Sequence, residues 1–160
     1  MEVQPENHLL EVGSGPGLAI RAAAAQAHRG PVAGIDHSTT MLQQAIRRNR
    51  AAVQAGRVDL QLGDAEVLPY ADGEFDKAYT VNSLRHWQDP AAGLREMYRV
   101  LRPAGRAAVF DQPRSAQSAE HLEGHRREIR AGLEQAGFRA LHSEIRHLKP
   151  VPCLAILGIK

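Results

Sequence analysis

A chain of 160 residues, 43% of them apolar, is the size of one compact domain with a single hydrophobic core. Twenty basic residues against 18 acidic ones leave a net charge of +2, too slight an excess to argue for a nucleic-acid partner. No apolar run approaches the roughly 20 residues of a membrane span, and Met1-Glu2-Val3-Gln4-Pro5-Glu6-Asn7 lacks the basic end and apolar stretch of a secretory signal, so a cytoplasmic location is the default expectation.

Apolar runs and turn signals then alternate as strand and helix, the pattern of a doubly wound α/β sheet. A first strand is predicted at 8–12, running into the turn Gly13-Ser14-Gly15-Pro16-Gly17 and a short Ala-rich helix. A second strand at 32–36 leads to a helix with Ser38 as N-cap, burying Met41, Leu42, Ala45 and Ile46 and stopping near Gly56. Strands follow at 58–63 and 77–82. The next helix is the best defined: Asp89 caps it, Pro90 occupies its first turn, Leu94, Met97, Tyr98 and Leu101 recur at helical spacing, and Pro103 ends it. After a strand at 106–111, a helix at 118–136 presents Leu122, Ile129 and Leu133 and gives way at Gly137. Its Arg126, Arg127 and Arg130 interleave with Glu123, Glu128 and Glu134, which reads as a solvated face of mixed pairs. Two last strands, 139–148 and 153–159, flank the turn Lys149-Pro150-Val151-Pro152. Cys153 stands alone, so no internal disulfide or cysteine metal cluster can form, and in its apolar run it reads as a buried core thiol. With no repeat, low-complexity tract or linker, residues 1–160 are predicted to form one domain.

The most informative segment is Leu9-Leu10-Glu11-Val12-Gly13-Ser14-Gly15-Pro16-Gly17. Glycine at every second position removes the Cβ atoms that would keep a ligand from the backbone and permits the positive φ of a sharp strand-to-helix turn. Glu11 adds an acid at the mouth of that site, where it can face a cationic group. A dinucleotide fingerprint needs glycine at 13, 15 and 18; position 18 is Leu, which disfavours a nucleotide-dependent oxidoreductase.

This segment resembles the first motif, E/D-x-G-x-G-x-G, of class I S-adenosylmethionine (SAM)-dependent methyltransferases, and further motifs follow in order. Asp36 closes the second apolar run. Leu62-Gly63-Asp64-Ala65-Glu66-Val67-Leu68-Pro69-Tyr70 and Gly73-Glu74-Phe75-Asp76 match the family's "GDAE-LPF-DG-FD" stretch. Asn82-Ser83-Leu84-Arg85-His86-Trp87-Gln88-Asp89-Pro90 and Val100-Leu101-Arg102-Pro103-Ala104-Gly105-Arg106 match the "LHH--DP…VLRPGG" region of its small-molecule group, which includes quinone-biosynthesis enzymes. The resemblance spans positions 8 to 111. It implies a Rossmann-like, mostly parallel seven-stranded sheet with an antiparallel last strand, SAM as methyl donor and a small-molecule acceptor. It further implies that the backbone at Gly13, Ser14, Gly15 and Gly17 approaches the methionine part of SAM and Glu11 serves its ammonium. Asp36 holds the ribose, His37 flanks the adenine, Asp64 accepts from the adenine amino group, the Ala65 amide donates to the ring, and Asn82 and Ser83 line the donor near its methyl. Taken alone, Asp36 reads as a strand end and Asp64 as a turn residue; with Glu11 they are three acids at successive strand ends, where open α/β sheets bind ligands, and the constellation favours function.

Several residues keep two readings. His86 is either a general base or a packing partner of Trp87, the second being favoured. His121 and His125, one helical turn apart, have no third metal ligand in view and read as exposed helix residues, so no metal site is expected. Trp87 and Tyr70 are candidates for a pocket wall or for core. Ala104 replaces a glycine usual in the family's turn. The family's N-terminal cover helices are missing before the first strand, which leaves three explanations: an internal start, a domain closed by a second copy or partner subunit, or a non-catalytic SAM-binding or interaction subunit. The acceptor itself is not specified by fold or donor site.

Overall fold

The computed structural model describes residues 1–113, 119–146 and 152–160. Lys149-Pro150-Val151 of the predicted turn, the ends of the strand and helix predicted to reach 148 and 118, and most of the Gln112–Gln117 connection lie outside the described residues. Seven strands, β1 (Leu9–Val12), β2 (Val32–Asp36), β3 (Val58–Leu62), β4 (Phe75–Val81), β5 (Leu101–Asp111), β6 (Arg139–Arg146) and β7 (Cys153–Ile159), form one sheet in the order β3-β2-β1-β4-β5-β7-β6. The first five run parallel, while β7 is antiparallel to both β5 and β6. This is the predicted mostly parallel sheet with an antiparallel last strand. Strand order reverses direction between β1 and β4, which opens a crevice beyond their C-terminal ends, where ligands bind in such sheets.

Helices cover both faces: α1 (Leu18–Gln26), α2 (Thr39–Arg48), α3 (Arg50–Gln54), α4 (Pro90–Val100) and α5 (Ala119–Gln135). All four residues of β1 and all five of β2 are buried, as strands covered on both sides require. Alternation divides β1 between two cores. Leu9 packs with Ile20, Ala24 and Val32, whereas Leu10 and Val12 join Leu94, Met97 and Leu133 beneath α4 and α5. Glu11 falls on the first of these faces, an acid where the pattern calls for an apolar side chain.

Ser38 and Asp89 cap their helices as the sequence indicates, accepting from the Met41 and Ala92 amides at 3.4 and 2.9 Å. Elsewhere the boundaries differ. The second predicted helix breaks at Asn49, whose buried amide donates to Gly17 O and Ala45 O at 3.0 and 2.9 Å and so ties the helix end to the glycine turn. Of its four expected core residues only Ala45 is fully buried, and Ile46 is exposed. The helix capped by Asp89 ends at Val100, because Leu101 already pairs with Phe75 in the sheet; Pro103 therefore lies in β5, within the irregularity between the Phe75–Leu101 and Lys77–Arg106 pairings. Proline tolerates that position because a bulge needs no amide there. Cys153 is half-buried, and its partial burial raises the thiol pKa. The mixed pairs on α5 form between Arg126 and Glu123 and between Arg130 and Glu134. No described helix is long and apolar enough to cross a membrane.

Ala104 adopts φ +64 inside that irregularity. A left-handed conformation costs an L-residue about 1–2 kcal/mol, and glycine returns part of this as unfolded-chain entropy. Ala104→Gly is therefore expected to stabilise the fold by about 0.5–1 kcal/mol, read as a higher urea midpoint at unchanged slope.

Candidate active site

The crevice contains two adjoining hollows. A groove of about 740 Å³ is lined by Glu11, Gly13, Ser14, Gly15, Leu18, Asp36, Asn82, Ser83, Arg85 and His86, among others. A recess of about 110 Å³ adds Gly63, Asp64, Ala65 and Trp87, and shares Gly13, Asp36, His37, Ser83 and His86 with the groove. The structure thus brings together the donor-site candidates and His86 except for Gly17, which stands at the N-cap of α1 behind the loop.

The glycine turn is shaped by close approach. Gly13, at φ +77, passes so near the turn after β4 that an added Cβ would lie 1.8 Å from Ser83 Oγ. Gly15, at φ +51, has nothing within 4 Å of where its Cβ would be, so its missing side chain leaves free space facing the groove. The turn is held from outside by the amides of Gly13 and Ser14, both donating to Ile35 O at 2.9 Å, and by Arg48, which donates to Pro16 O. Ser14 Oγ is buried without a hydrogen-bond partner, an uncompensated polar atom beside the groove.

Asp36 is 6% exposed and accepts from Gly15 N at 2.7 Å and from Ser38 N at 2.9 Å. A carboxylate has about four lone-pair directions, so two such bonds leave acceptor capacity for hydroxyls in the groove. His37 Nδ1 lies 4.0 Å from Asp36 Oδ1 with its ring mostly exposed. Asp64 is exposed and Ala65 buried at the recess. Asn82 holds a left-handed φ of +54 with its side chain strapped to the residue just after β5, accepting from Gln112 N at 2.7 Å. Ser83 Oγ accepts from Trp87 Nε1 at 3.2 Å, which seats the buried indole on the wall of the recess. His86, exposed at the end of the 3-10 turn Leu84–His86, borders both hollows. Tyr70 instead packs edge-on against Phe75, away from both.

Glu11 is the unusual group. It is 2% exposed, and the Tyr79 hydroxyl donates to it at 3.4 Å. Burial pushes its carboxyl well above the usual carboxylate range and the nearby Asp36 charge adds to the effect, while none of the interactions acting on it comes from a cation. A buried acid on the wall of a groove, lacking a positive partner among the described residues, fits a ligand that brings one. Gly15's open approach and the orphaned Ser14 hydroxyl fit the same ligand's polar end.

A family model for a methyltransferase domain matches residues 10–109. The chain belongs to the SAM-dependent methyltransferases. It is 34% identical over 143 residues to the uncharacterized methyltransferase YdaC of Bacillus subtilis, covering 89% of this chain and 77% of that one. It is 35% identical over 113 residues to the ubiquinone/menaquinone biosynthesis C-methyltransferase UbiE of Geotalea daltonii, where it covers 69% of this chain and spans 48% of the relative's length. A SAM-dependent methyltransferase from Aquifex aeolicus shares the fold of this methyltransferase domain, with a TM-score of 0.80 at 19% identity, over 98% of this chain and 83% of that one.

The sequence reading passed over Tyr79, Arg85 and Asn49. Tyr79 sits inside a strand whose pattern reads as core, and Arg85 falls among motif residues whose type the pattern leaves free; neither carries a local signal. Asn49, a helix-breaking type between two Ala-containing runs, did carry one.

The Glu11 environment has a measurable consequence. Unfolded Glu11 ionises in the ordinary range, whereas folded Glu11 keeps its proton to higher pH. The folded state therefore binds more protons between the two pKa values, and stability falls as pH rises through that window. Glu11→Gln removes this slope. Denaturant titrations at about pH 5 and about pH 8 are expected to show the variant more stable than wild type at the higher pH, with the advantage shrinking at the lower.

Proposed function

We propose that this methyltransferase domain binds SAM along the groove and transfers its methyl group to a small-molecule acceptor by in-line displacement. The observation that carries this reading is Glu11, a buried carboxylate without a cation, set beside a glycine turn that leaves space for a ligand. In this reading Glu11 receives the donor's ammonium, directly or through a water. Backbone at Gly13, Ser14, Gly15 and Gly17 follows its methionine part, Asp36 accepts from the ribose hydroxyls, and His37 flanks the base. Asp64 and the Ala65 amide meet the adenine edge, while Asn82 and Ser83 border the methyl.

When bound, SAM supplies a methyl on a sulfonium whose thioether is already a good leaving group. The chain's own contribution is then to align the reactants and exclude water. In this reading His86, at the junction of the two hollows, serves as base only for an acceptor that meets the donor inside the groove itself and must lose a proton there. The relative acting in ubiquinone/menaquinone biosynthesis supports an acceptor of small-molecule size. Leu18, 64% exposed at the groove's outer side, supports a cover from a second copy or partner subunit that shields the donor.

Calorimetric titration tests the donor site. S-adenosylhomocysteine is expected to bind and nicotinamide dinucleotides are not. Asp36→Ala and Glu11→Gln should each weaken binding by about 1.5–3 kcal/mol, the worth of hydrogen bonds to a charged group. Equal affinities for wild type and variants would remove those acids from the site. Because an incoming ammonium favours ionised Glu11, binding is also expected to release a proton, seen as a heat that varies with the buffer's ionisation enthalpy and vanishes in Glu11→Gln.

A further inference from the structure

A second cavity, of about 580 Å³, lies between α4 and α5. Its walls are largely apolar, with Leu84, Pro90, Leu94 and Ile129, and its volume is in the range of small-molecule sites. One end is polar. There Asp111, the last residue of β5 and 3% exposed, accepts from Arg85 Nη1 at 3.2 Å and from His125 Nε2 at 2.8 Å. A carboxylate only accepts, so in the neutral imidazole of His125 the proton sits on Nε2 and Nδ1 carries the lone pair. On the other side of the ring the exposed Glu128 carboxylate lies 3.8 Å from Nδ1, an ion-pair contact beyond hydrogen-bond distance. An imidazole oriented by a buried carboxylate through Nε2, with Nδ1 in no such short bond to Glu128, has the arrangement of a general base.

Arg85 joins this cavity to the donor groove, because it lines both. The Asp111 carboxylate accepts from its guanidinium through one oxygen and from the His125 ring through the other. No group of three or more His, Cys, Asp or Glu among the described residues is placed to hold a metal ion, so the dyad does not read as half of a metal site. Two polar functions thus converge at one end of an apolar pocket that abuts the donor groove.

We infer that this cavity is the acceptor pocket, and that it takes a small molecule with an apolar body and an ionisable hydroxyl of the phenol or enol class, seated at the polar end that Arg85, Asp111 and His125 line. The inference rests on the donor reading above. The hydroxyl proton passes to His125 Nδ1 as the oxygen's electron pair forms the new O–CH₃ bond. The C–S bond breaks with its pair remaining on sulfur, and His125 later returns the proton to solvent. Arg85 stabilises the oxygen as its negative charge develops. The charged and titratable groups around His125 are Asp111 from β5, Arg85 from the 3-10 turn, Asp89 ahead of α4, and Glu128 with His121 on its own helix. Cys153 of β7 is close enough to Asp111 for their charges to interact.

The probe is 4-nitrophenol, whose absorbance reports ionisation, titrated with and without saturating S-adenosylhomocysteine at a pH where the free probe is partly protonated. Saturable binding with a gain in the phenolate band is expected. Ala131→Trp, a change at an exposed position on the cavity rim, should weaken probe binding at least tenfold and leave S-adenosylhomocysteine affinity unchanged. His125→Ala should also keep that affinity but lose the pH-dependent gain in the phenolate band. No saturable binding, binding indifferent to Ala131→Trp, or an unchanged band in His125→Ala would each overturn the assignment. A chain that binds the probe in this manner but not S-adenosylhomocysteine would instead overturn the donor reading and leave the pocket standing.

Discussion

Close backbone approach at the reversal of strand order is the constraint on which the rest of this structure depends. The turn after β1 has to pass between the end of β2, the end of α2 and the segment leaving β4, and it does so with no side-chain atom at Gly13 to collide with Ser83. Each neighbour grips it by a different means: Ile35 through its carbonyl, Asp36 through its carboxylate, Asn49 through its amide and Arg48 through its guanidinium. The groove is what remains when this loop is held that tightly and one of its glycines faces outward. Binding space and fold stability therefore come from the same contacts.

Three buried acids at the C-terminal edge of the sheet illustrate three ways of tolerating a carboxylate away from water. Asp36 is satisfied by backbone amides, and Asp111 by a guanidinium and an imidazole. Glu11 has a phenol and the Ile20 backbone but no cation among the described residues, and burial holds it well above the normal carboxylate range. The opposite edge shows an ordinary structural solution. There burial works against ionisation of Asp76, but the His8 amide and Arg102 outweigh it and hold the carboxyl below its usual range. Asp36 keeps lone pairs to spare beyond its two amides, and Glu11 lacks a cation, so both leave room for something else.

Much of this was legible in the sequence. Leu9 to Gly17 predicts a buried strand and a ligand-facing turn because burial on both faces and positive φ leave unmistakable residue choices, and Ser38, Asp89 and Pro90 mark helix starts by chemistry that is entirely local. The errors have nonlocal causes. Whether Leu101 belongs to a helix or a strand depends on its pairing with Phe75, and periodicity along one segment cannot register that. Likewise His125 reads as an exposed helix residue until β5 delivers Asp111 to it, since only the folded sheet sets residues 14 positions apart within hydrogen-bond reach.

The strand order also bears on how such a chain can assemble as it is synthesised. β1 is flanked by β2 and β4, and its second neighbour, at Lys77 to Tyr79, follows it by 68 residues in the pairing of Leu9 with Lys77. Leu9, Leu10 and Val12 leave the ribosome well before their β4 partners, and one edge of their strand stays unpaired until β4 emerges, a span during which an apolar strand is exposed to intermolecular pairing. The other end of the sheet has the same property in reverse. β6 touches the sheet only through β7, which inserts between it and β5. The edge made second to last thus waits for the strand made last, and vectorial synthesis leaves the sheet open on that side until Cys153–Ile159 have been added.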